Sequence, residues 1–233
     1  MMNGDDITMI KKLYHGSSNI IEKPIFGYGK HYNDYGLGFY CTDNLEMAKE
    51  WAAGKERDGY ANCYELECDG LRILDLNEPE YSILHWLTVL LQNREFNVPS
   101  GLALEAKEYL IANFAIDYES CDAIIGYRAD DSYFSFAQDF INGTISYRQL
   151  NNAMHLGKLG QQFVLKSKTA FERIKFVDSE IVKSDEWYAK KLRRDKAARS
   201  EYFNVERSRR QRGDLYITQI MDEEMKPDDP RLR

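Results

Sequence analysis

The stretch Gly36-Leu37-Gly38-Phe39-Tyr40-Cys41-Thr42-Asp43 decides how the first half of this 233-residue chain is read. Its glycines end a loop, Tyr28 to Gly38 in GYGKHYNDYGLG, and the apolar residues that follow make a short strand from Gly38 to Cys41. Asp43, with Glu46 three residues on, then predicts a capped helix start. Leu45, Ala48, Trp51 and Ala52 recur at helical spacing, so they share one face of that helix. Read alone, the stretch is a glycine-rich turn feeding a core Tyr and Trp.

Working outward, Leu13-Tyr14-His15 ends a short apolar run and passes into Gly16-Ser17-Ser18, a strand followed by a turn. Downstream, strands are predicted at Cys63 to Leu66, Leu71 to Leu76 and Ala123 to Gly126, the last with Arg128 to Asp131 as its exit loop. Helices are predicted at Tyr81 to Asn93 and Leu102 to Ala115. Ser146, with Gln149 three residues on, opens another capped helix that stops near Gly157. Gln162 to Lys166 and Ile174 to Val182 are the last strands. Short strands mixed with helices, without an internal repeat, predict an α+β domain over residues 1–182.

Composition narrows the function classes. At 43% hydrophobic and 30% charged, the chain can build an ordinary packed core. A net charge of −7 argues against a surface wholly given to nucleic acid or anionic lipid. The four cysteines lack metal-site spacing, so four reduced thiols and no metal are expected. No apolar run suits a signal peptide or reaches the ~20 residues of a spanning helix, so a cytoplasmic protein without membrane contact is expected.

From residue 183 the balance changes. Residues 183–212 carry eleven Lys/Arg against five Asp/Glu, a local +6 that leaves the rest near −13. A mainly helical, basic extension over 183–233 is expected, with one helix from Asp185 to about Arg212 and a loose end from Met221 to Arg233. It reads either as a solvated helix laced with opposite charges or as an electrostatic footprint for RNA, DNA or an acidic partner. Tyr188, Tyr202 and Phe203 would stack on bases in the second case, or anchor the helix on the domain in the first.

Three segments carry the chemistry: Tyr14 to Ser18, Gly36 to Asp43, and Gln161 to Phe171, a strand that opens with two amides and closes in a polar turn. Singly, each has an ordinary structural reading. In this order, with DAIIGYRADD (Asp122 to Asp131), the Asn142 to Ser146 turn and QxVLxSxxAxxxIxF from Gln162, the chain resembles the ADP-ribosyltransferase superfamily from Leu13 to Phe176. It is similar to the His-Tyr-Glu branch that includes diphtheria toxin and the poly(ADP-ribose) polymerases, and most of all to an uncharacterised bacterial family placed there.

The resemblance implies a split β-sandwich of two small sheets with flanking helices, and a cleft that binds NAD, as substrate, in a bent shape. It assigns His15 to the adenosine ribose and the Gly16 backbone, with Ser17 beside it, to the nicotinamide carboxamide. Tyr40 would stack on the nicotinamide ring, Trp51 would close the other side, and Gln162 would meet the nicotinamide ribose. The implied function is an NAD-dependent ADP-ribosyltransferase acting on a protein or nucleic acid, in the role of a toxin or phage-defence effector with a neutralising antitoxin protein. An NAD glycohydrolase and a non-catalytic NAD- or nucleic-acid-binding module are the alternatives.

Two departures stand out. Gln162 occupies the place of the usual Glu, and a neutral amide cannot offset the positive charge that develops on ribose as the glycosidic bond breaks. Asp130 and Asp131 are the acids expected to substitute; Glu172, the next acid downstream, is expected on a solvated helix turn. Ala48 stands where the family often has a carboxamide-binding Ser.

Overall fold

The computed structural model describes residues 9–98, 101–129, 131–156 and 160–232. The protein is α+β, with two small sheets and several helices. Strands β1 (Ile10–Ser17), β3 (Gly59–Glu67) and β7 (Ile174–Val182) form an antiparallel sheet in the order β1-β3-β7. Strands β2 (Phe39–Cys41), β4 (Ile73–Asp75), β5 (Ala123–Tyr127) and β6 (Gln161–Leu165) form the second in the order β2-β6-β5-β4, where β4 and β5 alone run parallel. The sheets are stitched at one point, where Tyr14 N donates to Thr42 O (2.8 Å) and Thr42 N to Tyr14 O (2.9 Å).

Side-chain alternation along the strands sorts the core into layers. Phe163 and Leu165 of β6 turn toward the first sheet and pack with Leu13, Tyr64 and Leu66. Val164, between them, faces the opposite way into a larger core built with the helices α2 (Ile83–Asn93), α3 (Leu102–Phe114), α4 (Asp131–Ile141) and α5 (Tyr147–Ala153). Residues Ile83 to Leu91 of α2 are all buried, so this helix runs through the interior and shows no polar face. Among the described residues no helix is long and apolar enough to cross a membrane.

Several boundaries differ from expectation. Helix α1 (Leu45–Ala52) is capped by Asn44, whose side chain accepts from Met47 N (3.2 Å), and not by Asp43. Thr42 is held in the stitch and its hydroxyl accepts from Asn44 N, which sets the helix start one residue later. Ser146 and Gln149 do form the expected capping box at the start of α5. After α6 (Lys168–Arg173) and β7, α7 spans Ser184–Glu201 and stops well short of Arg212.

It stops because Tyr202 turns inward. Its ring stacks on Phe136 at 3.8 Å and its hydroxyl donates to Asp139 (2.6 Å), drawing residues 202–206 into a π-helical turn. The end of the chain is also docked, not loose. Ile217 and Ile220 of α8 (Ile217–Asp222), with Met225 and Leu232, are buried in the large core. Tyr109 and Tyr147 donate their hydroxyls to the carbonyls of Met225 and Leu232, both at 2.7 Å. Arg148 grips Asp214 through two bonds of 2.8 and 3.0 Å and also donates to Arg209 O.

Candidate functional site

The stitch between the sheets also places the candidate site. His15 follows Tyr14 on β1 and Tyr40 lies near Thr42 on β2, so the bridge fixes both. His15 Nδ1 sits 2.7 Å from the backbone oxygen of Tyr40. A carbonyl oxygen only accepts, so Nδ1 carries the proton and Nε2 is left as an acceptor. Burial lowers the imidazole pKa, which keeps that neutral form dominant. The His15 ring lies against Phe39 at 4.5 Å.

Tyr40 is held at its far end, where its hydroxyl donates to Gly36 O (2.6 Å) and accepts from Tyr35 N (3.0 Å). Burial raises its pKa, so the phenol is neutral. Val164 pairs with Tyr40 across the ladder, and Gln162, two residues before Val164, shares its face of the sheet. Gln162 is 6% exposed, and its Oε1 is buried with no hydrogen-bond partner among the described residues. The buried Nε1 of Trp51 is likewise unpartnered among them, while the Arg128 guanidinium lies 5.0 Å from the Trp51 ring centre.

His15, Gly16, Tyr40, Trp51 and Gln162 all line one cavity of about 950 Å3, within the range of small-ligand sites. Five of the residues expected from sequence are thus brought together from four elements. Ser17 is not on that lining; its hydroxyl donates to Asn19 O and accepts from Asn19 N, shaping the turn after β1. Asp130 lies outside the described residues, and Asp131 is the first residue of α4. Gly16 has a packing reason to be glycine, since a Cβ there would lie 1.9 Å from Ala48 O and 2.8 Å from Trp51 Cβ. Ala48, fully buried, belongs to the tight seam that brings Trp51 beside β1.

Two residues that shape the site escape the sequence reading. Asp34, in the glycine-rich loop, lines the cavity and is nearly buried. One oxygen takes Arg94 (2.8 Å) and the other the backbone N–H of Ala129 (2.9 Å); desolvation outweighs these partners and raises its pKa. With both oxygens engaged, Asp34 sets the place of Arg94 and of the loop after β5. Asn62, fully buried in β3, accepts from Ile21 N (3.0 Å) and donates to the carbonyls of His15 and Asn19 (both 3.2 Å), holding the loop that follows β1. An Asn set between Tyr60-Ala61 and Cys63-Tyr64 in β3 is the one sequence signal for it.

Helix α7 completes the lining with Tyr188, Lys191, Leu192, Arg194, Asp195 and Arg199. Tyr188 therefore faces the cavity, whereas Tyr202 anchors the chain in the core. Among the described residues no group of His, Cys, Asp or Glu is placed to hold a metal ion.

No curated protein and no solved structure matches the chain. The family model described as a protein of unknown function, DUF3990, matches residues 11–176, the segment that carries β1 through the start of β7, and the chain belongs to that family.

Proposed function

We propose that this protein binds NAD in the cavity and transfers its ADP-ribose to a macromolecular acceptor, a protein or nucleic acid. The observation that carries the reading is the convergence of His15, Tyr40, Trp51 and Gln162, far apart in sequence, on one cavity. The unpartnered Gln162 Oε1 adds to it, because a buried acceptor left without a donor costs about 1–3 kcal/mol and a ligand hydroxyl would recover that cost.

NAD fits the donor set. Neutral His15 offers Nε2 to a ribose hydroxyl. Tyr40, pinned by its hydroxyl, offers a fixed ring to the cationic nicotinamide. Gln162 offers its oxygen to the second ribose. Such positioning lowers the entropic part of the barrier to breaking the bond between ribose and nicotinamide. The acceptor's nucleophilic atom takes the ribose carbon, nicotinamide leaves neutral with the bonding pair, and the acceptor's proton goes to solvent. Asp34 is committed to Arg94 and Ala129, so it does not restore the carboxylate missing at position 162.

The neutrality of Gln162 favours a second reading, an NAD-binding module that does not cleave. The protein incubated with adenylate-labelled NAD and a cell lysate separates the possibilities. Transfer predicts labelled protein or nucleic acid and free nicotinamide, both lost in His15→Ala and Tyr40→Ala. Gln162→Glu should raise turnover, by up to the ~10²–10³ that one such electrostatic contact is worth. Nicotinamide without labelled acceptor would assign a glycohydrolase, and NAD binding without nicotinamide release would assign the module.

A further inference from the structure

Helix α7 lies beyond the family segment, yet it is one wall of the cavity. It is fixed at both ends. At its start Ser184 N donates to Asp58 (2.9 Å), Ser184 Oγ donates to Gly54 O (2.7 Å), and Trp187 packs with Ala48 and Ala52 of α1. Beyond its end Tyr202 is buried in the helical core. Midway, Arg194 Nε meets Glu50 of α1 at 2.7 Å, with both side chains largely buried. A helix held this way is a permanent wall.

The charge of the lining runs against that of the chain. Among the described residues, six cationic side chains, Lys23, Arg94, Arg128, Lys191, Arg194 and Arg199, line the cavity with two carboxylates, Asp34 and Asp195, while the whole chain carries −7. Each carboxylate is already bonded to a cation of the same lining, Asp34 to Arg94 (2.8 Å) and Asp195 to Arg199 (3.0 Å). Half of the cations come from α7. A concave surface with this excess concentrates anions. Gln162 Oε1, buried at the same wall and unpartnered among the described residues, independently leaves an acceptor that a ligand hydroxyl could satisfy. Hydroxyls and phosphates together describe a phosphorylated ribose.

We propose that α7 supplies the phosphate-binding wall of this site, with Lys191 and Arg199 engaging the diphosphate of a nucleoside diphosphate or dinucleotide whose ribose reaches Gln162. Arg194, tied to Glu50, positions the helix. The inference deepens the NAD reading and rests only on its nucleotide part.

Calorimetry on the full chain with ADP-ribose, NAD and adenosine tests it. ADP-ribose should bind and adenosine should not. Lys191→Gln combined with Arg199→Gln should weaken ADP-ribose about tenfold or more and flatten the salt dependence, as expected when charge-assisted contacts are lost. Arg193→Gln combined with Lys196→Gln, exposed positions off the lining, should stay within about twofold. The swapped pair Lys191→Arg with Arg199→Lys should retain binding, which separates loss of charge from loss of fold. Unchanged ADP-ribose affinity in the Gln pair, a gain in affinity there, or no ADP-ribose binding by the parent overturns the proposal. If ADP-ribose binds through α7 but NAD binds no better and is never cleaved, the phosphate wall stands and the transferase reading fails.

Discussion

Two buried glutamines sit in different regions of this molecule and are treated in opposite ways. Gln149, at the start of α5, is fully buried and fully used: its oxygen accepts from Ser146 N (2.9 Å), and its amide donates to the carbonyls of Glu206 and Arg207. It closes a helix cap and ties the π-helical turn to the helical core. Gln162, on β6, is nearly as buried but leaves Oε1 unpartnered among the described residues. Burial without satisfaction is unfavourable for folding, so the second region carries a cost in stability at the wall of the cavity. The contrast marks where the molecule is built for itself and where it is built for something else.

The sharpest test of that contrast concerns the frame around the cavity. If the wall is rigid despite its unpaired groups, Gly16→Ala should be the most damaging change, costing about 3 kcal/mol or more, since the clash is with backbone that cannot rotate away. Urea denaturation reads the loss; a near-neutral result would mean that α1 can slide on β1. Next, Gln149→Ala should cost about 2–4 kcal/mol by the same measurement, because it strands Ser146 N and two carbonyls. Gln162→Leu should leave stability within about 1 kcal/mol of the parent, or above it, while nucleotide binding falls. Equal destabilisation by the two glutamine changes would end the distinction between the regions.

The smallest effect is in pH dependence. His15 in the cavity wall and His85 in α2 both have pKa values lowered by burial, from a usual 6.5. A histidine of this kind binds a proton more readily when the chain is unfolded, so its contribution is complete above pH 6.5 and declines as pH falls toward the folded value. The tautomers differ. His15 Nδ1 donates to Tyr40 O, whereas His85 Nδ1 accepts from Ser82 N (2.9 Å), so protonation of His85 breaks a bond and that of His15 does not. Urea midpoints from pH 7 to pH 5 should therefore fall less steeply in both His15→Gln and His85→Gln than in the parent, with the larger relief in His85→Gln.

Much of the fold was legible in local pattern. The Ser146–Gln149 cap joins residues three apart, while the strands at 123, 162 and 174 and the helices at 83 and 102 announce themselves by local apolar pattern even though their ladder and packing partners are distant. The exceptions share a cause. The cap of α1 moved from Asp43 to Asn44 because Thr42 is captured by Tyr14, a strand away. The extension bent at Tyr202 because Phe136 and Asp139 receive that side chain. In each case a distant partner overrode a local preference.

The site divides along the same line. His15, Gly16, Tyr40, Trp51 and Gln162 could be singled out in the sequence because residue type and order are written there. That α7 walls the same cavity, that Asp34 holds Arg94, and that Asn62 holds the loop after β1 were decided only by tertiary structure. Composition records how many charges a segment carries, but the direction they face depends on which buried residues fix the helix at its ends. For α7 those are Trp187 and Tyr202, received by Ala48 and Ala52 of α1 and by Phe136 and Asp139 of α4, all far earlier in the chain.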